Sequence, residues 1–112
     1  MLNHIPAEKV MYIDIETVPE HSSFEDLDDK MKELWEVKSA KTTREEISPA
    51  DDYGRAGIYA EFGKIVCISA GIIKTENGER TLRVKSFYGD DEKKLLTGFA
   101  GALNNFTYNA GT

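Results

Sequence analysis

The chain has 112 residues, 40% hydrophobic, 30% charged and 10% aromatic, which is enough for one domain with one core and little surplus. Its net charge of −6 argues against a basic arm or stripe that grips nucleic acid through its phosphates. It leaves a metal-dependent nuclease open, because bound ions supply positive charge that a formal count omits. No run of residues is long and apolar enough to span a bilayer and the N-terminus lacks the regions of a signal peptide, so a cytoplasmic protein with no membrane partner is expected. The single cysteine, Cys67, lies in an apolar run and reads as a buried free thiol.

In chain order, residues 1–8 form a short lead with Pro6 as a breaker, and residues 10–16 form a first strand stopped by Pro19. Residues 24–41 carry a helical stripe of Phe24, Leu27, Met31, Leu34, Trp35 and Lys38; Ser22 or Ser23 is the expected cap. Trp35 is expected in the core. Residues 42–52 are polar and contain Pro49, which predicts a linker or helix break, followed by a short helix over 49–59 that carries Tyr53, Ala56 and Ile58. Residues 64–74 are apolar on both sides, as in a central strand. Asn77-Gly78 signals a tight hairpin turn. The return strand, 80–88, alternates Leu82, Val84 and Tyr88 with Thr81, Arg83 and Lys85, which predicts a packed apolar side and a solvated basic side. A last helix starts after Gly89, with Asp90 as its expected cap and Leu95, Leu96, Phe99, Leu103 and Phe106 as its stripe; residues 104–112 read as a frayed tail. The expected class is α/β, with a three-stranded, mainly antiparallel sheet packed with two or three helices.

Asp14 and Glu16 stand out within the first strand. Alternation puts both carboxylates on one side. Two neighbouring acids repel unless water or a cation offsets the charge, and hard divalent cations favour carboxylate oxygen. The pair is therefore a candidate metal site, although a strand end whose polar side meets solvent explains it equally well from the motif alone. Glu61 reads as a turn or cap residue, His4 and His21 as solvated, and Arg80, Arg83 and Lys85 as a solvated surface.

Residues 12–19, Tyr-Ile-Asp-Ile-Glu-Thr-Val-Pro, resemble the first motif of the DEDD-type 3′–5′ exonucleases, in particular those similar to the proofreading domain of family-B DNA polymerases. Residues 56–69, Ala-Gly-Ile-Tyr-Ala-Glu-Phe-Gly-Lys-Ile-Val-Cys-Ile-Ser, resemble that family's second strand and the turn before it. The helix with Leu34-Trp35, the hairpin and residues 87–92 fall in the matching order. The resemblance implies a ribonuclease H-like fold and a two-metal hydrolase using Mg²⁺ or Mn²⁺ on the 3′ end of DNA or RNA. Asp14 and Glu16 would be both catalytic and metal-binding, and Thr17 and Val18 would lie at the terminal nucleotide.

The same family uses two further acids and a Tyr or His base, and no Asp or Glu follows Glu92 here. The expectation is an N-terminal portion of a ribonuclease H-like exonuclease domain, an incomplete fold that is inactive by itself. Two other functions compete with it. One is a non-catalytic module that binds nucleic acid or self-associates through an unfinished sheet edge as a homo-oligomer. The other is a phosphatase of the haloacid dehalogenase kind, which ordinarily has a second Asp where this chain has Glu16.

Overall fold

The computed structural model describes residues 4–43 and 46–109. Three strands, β1 (Met11–Pro19), β2 (Gly63–Glu76) and β3 (Glu79–Tyr88), form one antiparallel sheet in the order β1-β2-β3, accompanied by helices α1 (Asp29–Thr42), α2 (Pro49–Asp52) and α3 (Glu92–Asn109). The mixed helix and strand content and the antiparallel sheet agree with the α/β expectation, and β2 is central as its two apolar sides require. The chain divides into two compact units, one of Met1–Glu16 and Ile65–Thr112, the other of Thr17–Lys64.

In the first unit the hairpin turns on Asn77 (φ 53°) and Gly78 (φ 80°). Two consecutive positive φ values match a type I′ turn, whose twist suits the strands it joins. The turn fixes the register from Glu76 opposite Glu79 to Cys67 opposite Tyr88, so Phe87 lies beside Ile68 and Val84 beside Gly71. Helix α3 covers the Phe87 side: Phe87 meets Phe99 edge-on with ring centroids 6.1 Å apart, and Ile68, Ala70 and Leu95 are buried. The covered side of β3 is therefore the one shared with Thr81, Arg83 and Lys85. Leu82, Val84 and Tyr88 are 62%, 62% and 78% exposed, the reverse of the expectation. Phe87 decides the matter, because a ring stacked beside Ile68 buries more apolar surface under a helix than the thinner Leu82–Val84 strip.

Two further corrections concern α3. Asp91, not Asp90, caps it, its carboxylate accepting from the Lys94 amide at 3.1 Å. The helix then continues to Asn109, so residues 104–109 are helical rather than frayed, while the remainder of the expected tail, 110–112, lies outside the described residues. Cys67 is half-buried rather than buried.

The second unit packs around Trp35, which is fully enclosed. Tyr53 and Phe62 contact it edge-on, with centroids at 5.8 and 5.1 Å, and Leu27 and Ala56 complete the core. Burying the indole strands its N–H unless it is paired, and the Pro49 carbonyl accepts it at 2.8 Å. The predicted helix over 24–41 is two elements. Phe24–Asp26 is a single 3-10 turn, Leu27 is extended (ψ 149°), and α1 begins only after Asp28, whose carboxylate accepts from the Met31 amide at 2.8 Å. Asp28 outcompetes Ser22 and Ser23 as the cap; Ser23 instead donates to Asp26. The buried stripe is narrower than expected, and Leu34 is half-exposed. The helix over 49–59 shortens to α2, capped by Ser48, and runs on as a 3-10 helix, Tyr53–Ile58. Tyr53 and Ala56 are buried, whereas Ile58 is exposed.

Candidate functional site

Asp14 and Glu16 are both exposed on β1 in the first unit. Tyr12, Ile13 and Asp14 line a largely apolar groove of about 410 Å³ with Ser69, Gly71, Ile73, Leu82 and Val84. Cross-strand partners share a side, so Ser69, Gly71, Ser86 and Val84 all face away from Phe87. β1 thus borders, at Tyr12, Ile13 and Asp14, the side of the sheet that α3 leaves free. The middle of that side is made of small groups. The Ser69 and Ser86 hydroxyls are 2.8 Å apart, Cys67 Sγ lies 3.9 Å from Ser69 Oγ, and a Cβ at Gly71 would already touch Leu82 at 3.4 Å. The sequence carries the signal for this floor as the alternation Cys67, Ser69, Gly71 on β2, but only the structure shows which side α3 takes.

The donor set is hard oxygen on an open surface, which suits a divalent cation that keeps part of its water shell. Among the described residues no cluster of three or more His, Cys, Asp or Glu is placed to hold a metal, so Asp14 and Glu16 stand as a pair. They supply two of a cation's ligands, and water would supply the others.

Thr17 and Val18, the other expected site residues, are exposed and belong to the second unit. Their neighbourhood there is set by the glycines of the 56–69 block. Thr17 Oγ1 donates to the Gly57 carbonyl at 2.7 Å, and the Glu20 amide donates to the Phe62 carbonyl at 2.9 Å. A Cβ at Gly57 would fall 2.8 Å from the Val18 carbonyl carbon, and one at Gly63 would fall 2.5 Å from the Gly57 carbonyl oxygen. Both positions need glycine because backbone passes where a side chain would stand. The two stretches singled out in the sequence are therefore fitted to each other at Thr17, Val18, Pro19 and Gly57.

A charged cluster in the second unit escaped the sequence reading. Asp52, 7% exposed, accepts from Ser39 Oγ at 2.6 Å and from Arg55 Nε and Nη2, both at 2.7 Å. Arg55 also donates to Thr42 and Tyr59 and lies over the Trp35 and Tyr59 rings. The Arg55 hydrogen bonds, helped by Ser39 and opposed by burial, hold the Asp52 carboxyl below its usual range. Hydrogen bonds from Thr42 and Arg55 lower the Tyr59 phenol. Every member is satisfied internally, so the cluster anchors the 52–59 segment to α1. Its signal was the Asp-x-x-Arg spacing at 52–55. Glu61 pairs with Lys38 at 2.9 Å, which holds its carboxyl low and gives it a structural role. His4 and His21 are exposed.

No family model, no curated protein and no solved structure matches this chain.

Proposed function

We propose that this chain is part of a ribonuclease H-like exonuclease domain in which Asp14 and Glu16 hold Mg²⁺ or Mn²⁺ for hydrolysis at the 3′ end of DNA or RNA. The observation that carries the reading is the pair itself: two carboxylates two residues apart on one strand, which alternation puts on one side, both exposed. Within the second unit, the close fit of Thr17, Val18 and Pro19 against Gly57 is in keeping with it, because it holds the backbone of residues 17–19 in a defined conformation. A divalent ion bound here would activate water and offset charge on a phosphodiester. The chain's own contribution is to hold two carboxylates two residues apart and in the open on one strand.

With only this pair, weak binding and no efficient turnover are expected. Titration calorimetry with Mn²⁺ should give an apparent Kd of roughly 0.1–1 mM, the weak end for oxygen-ligated divalent sites. Asp14→Asn and Glu16→Gln should each abolish the heat. Equal heat from the unmodified chain and both variants, or no heat from any of them, would remove the metal assignment.

A further inference from the structure

We propose that Asn77 is a modification site: its side-chain amide condenses with the Gly78 nitrogen to a succinimide, which water opens to aspartate and isoaspartate, at a rate set by opening of the hairpin tip. Of the chain's asparagines only Asn77 precedes a glycine. It is also the one non-glycine residue with a positive φ, 53°, among the described residues. Glycine has no side chain to shield its amide nitrogen, and nothing lies within 4 Å of where a Cβ at Gly78 would stand. Both residues are exposed, so water reaches the ring once it forms. In the first step the Gly78 nitrogen attacks Asn77 Cγ and closes the ring. The Cγ–Nδ2 bond breaks, and the Gly78 amide proton leaves with that nitrogen as ammonia. Water then adds to one of the two ring carbonyls. Opening at the main-chain carbonyl leaves the chain running through the side chain, as isoaspartate; opening at Cγ gives aspartate.

The folded turn holds the reacting atoms apart. A type I′ turn keeps ψ of its first central residue at about +30°, which sets the Gly78 nitrogen almost opposite the Asn77 side chain about the Cα–C bond. Ring closure needs the two eclipsed, so the tip must first open. Its closing pair makes that opening easy. Glu76 stands directly opposite Glu79, and like charges so placed weaken the pair. Arg83 meets Glu76 at 3.5 Å, but both side chains are more than half exposed, where an ion pair is worth little. Isoaspartate then inserts an extra carbon into the main chain and sets a new carboxylate beside Glu76 and Glu79. A turn so lengthened no longer fixes Glu76 opposite Glu79 and Thr75 opposite Arg80. Every reacting atom belongs to two adjacent residues, so the inference is independent of the metal assignment.

Incubation in mildly alkaline buffer, followed by peptide mass spectrometry and enzymatic methylation of isoaspartate, gives the rate at Asn77. The same chain in concentrated urea gives the rate with the turn abolished. Conversion is expected in both, well ahead of Asn104 and Asn105, and roughly tenfold slower in the folded chain. Glu79→Lys sets a cation against Glu76 and should slow the folded chain by about a further threefold relative to its own rate in urea. No conversion of the folded chain over a period that converts the unfolded chain completely would overturn the site. Equal rates in the folded and unfolded chains, or an unchanged ratio in Glu79→Lys, would overturn the gating by the hairpin tip. Freshly prepared Asn77→Asp carries the added charge without the extra backbone carbon. The isoaspartate chain should melt below that variant, and an equal or higher melting point would overturn the predicted loss of the turn.

Discussion

Replacing Arg55 by Met leaves the Asp52 carboxylate buried, with the Ser39 hydroxyl at 2.6 Å as its remaining side-chain donor. Two charge-assisted bonds of 2.7 Å disappear. Removing one partner of a buried pair costs about 3–5 kcal/mol, but the Arg55 side chain is 30% exposed, so screening brings the expected loss to about 2–3 kcal/mol. The guanidinium also sits 5.4 Å from the Trp35 ring and 5.7 Å from the Tyr59 ring, and losing that attraction adds roughly 0.5 kcal/mol. Met retains much of the apolar stem, so the change isolates the charge. Urea unfolding followed by Trp35 fluorescence, the chain's one tryptophan, should show the midpoint falling with an unchanged slope. In a cycle with Asp52→Asn, the coupling between the two positions should reach at least about 1.5 kcal/mol. The pH dependence has a definite sign. Asp52 is held below its ordinary range in the folded chain, so its contribution is complete above pH ~4, its unfolded value, and is lost as pH falls through the lower folded value. The gap between the native chain and Asp52→Asn should therefore narrow toward acid. A loss under about 1 kcal/mol, or strictly additive single changes, would refute the view that this pair is a desolvated anchor.

Two further substitutions test particular packing statements. Gly57→Ala should destabilise the chain by about 2 kcal/mol, since its Cβ would meet the Val18 and Pro19 backbone at 2.8–3.0 Å and backbone yields less easily than a side chain; thermal melts beside Gly101→Ala, where nothing lies within 4 Å, provide the comparison. Leu82→Lys should move stability by no more than about 0.5 kcal/mol, whereas Phe87→Ala should cost about 2–3 kcal/mol. If Leu82→Lys proved the more damaging change in denaturant unfolding, the assignment of α3 to the Phe87 side would be wrong.

The elements that were legible in the sequence are those written in local chemistry. Asn77-Gly78 specified its hairpin because only residues that accept positive φ fit a type I′ turn, and the double-sided apolar run specified β2 as central. The errors came from decisions that no single segment makes. Alternation in β3 was visible, but which side is covered depends on Phe87 stacking with Ile68 and Phe99, a contact among three elements. The start of α1 was misplaced because Asp28 and Ser23 are both good caps, and the extended backbone at Leu27 favours the later one. Of the candidate site, Asp14 and Glu16 were legible as a pair. The small floor of the groove that Asp14 borders was not, because Ser69 and Ser86 become neighbours only through the hairpin register.

The carboxylates also help explain why β1 adopts the orientation it does. Tyr12, Ile13 and Ile15 put apolar groups on both sides of the strand, so hydrophobic patterning alone hardly distinguishes this orientation from one flipped by a one-residue slip. The carboxylates do distinguish the two, because both stand exposed to water as the strand lies. Desolvating a carboxylate without a partner costs several kcal/mol, far more than exchanging one half-exposed aliphatic group for another. The acid pair is thus a strong determinant of strand orientation, whatever else it does. That same requirement keeps both carboxylates in the open, where a cation could reach them.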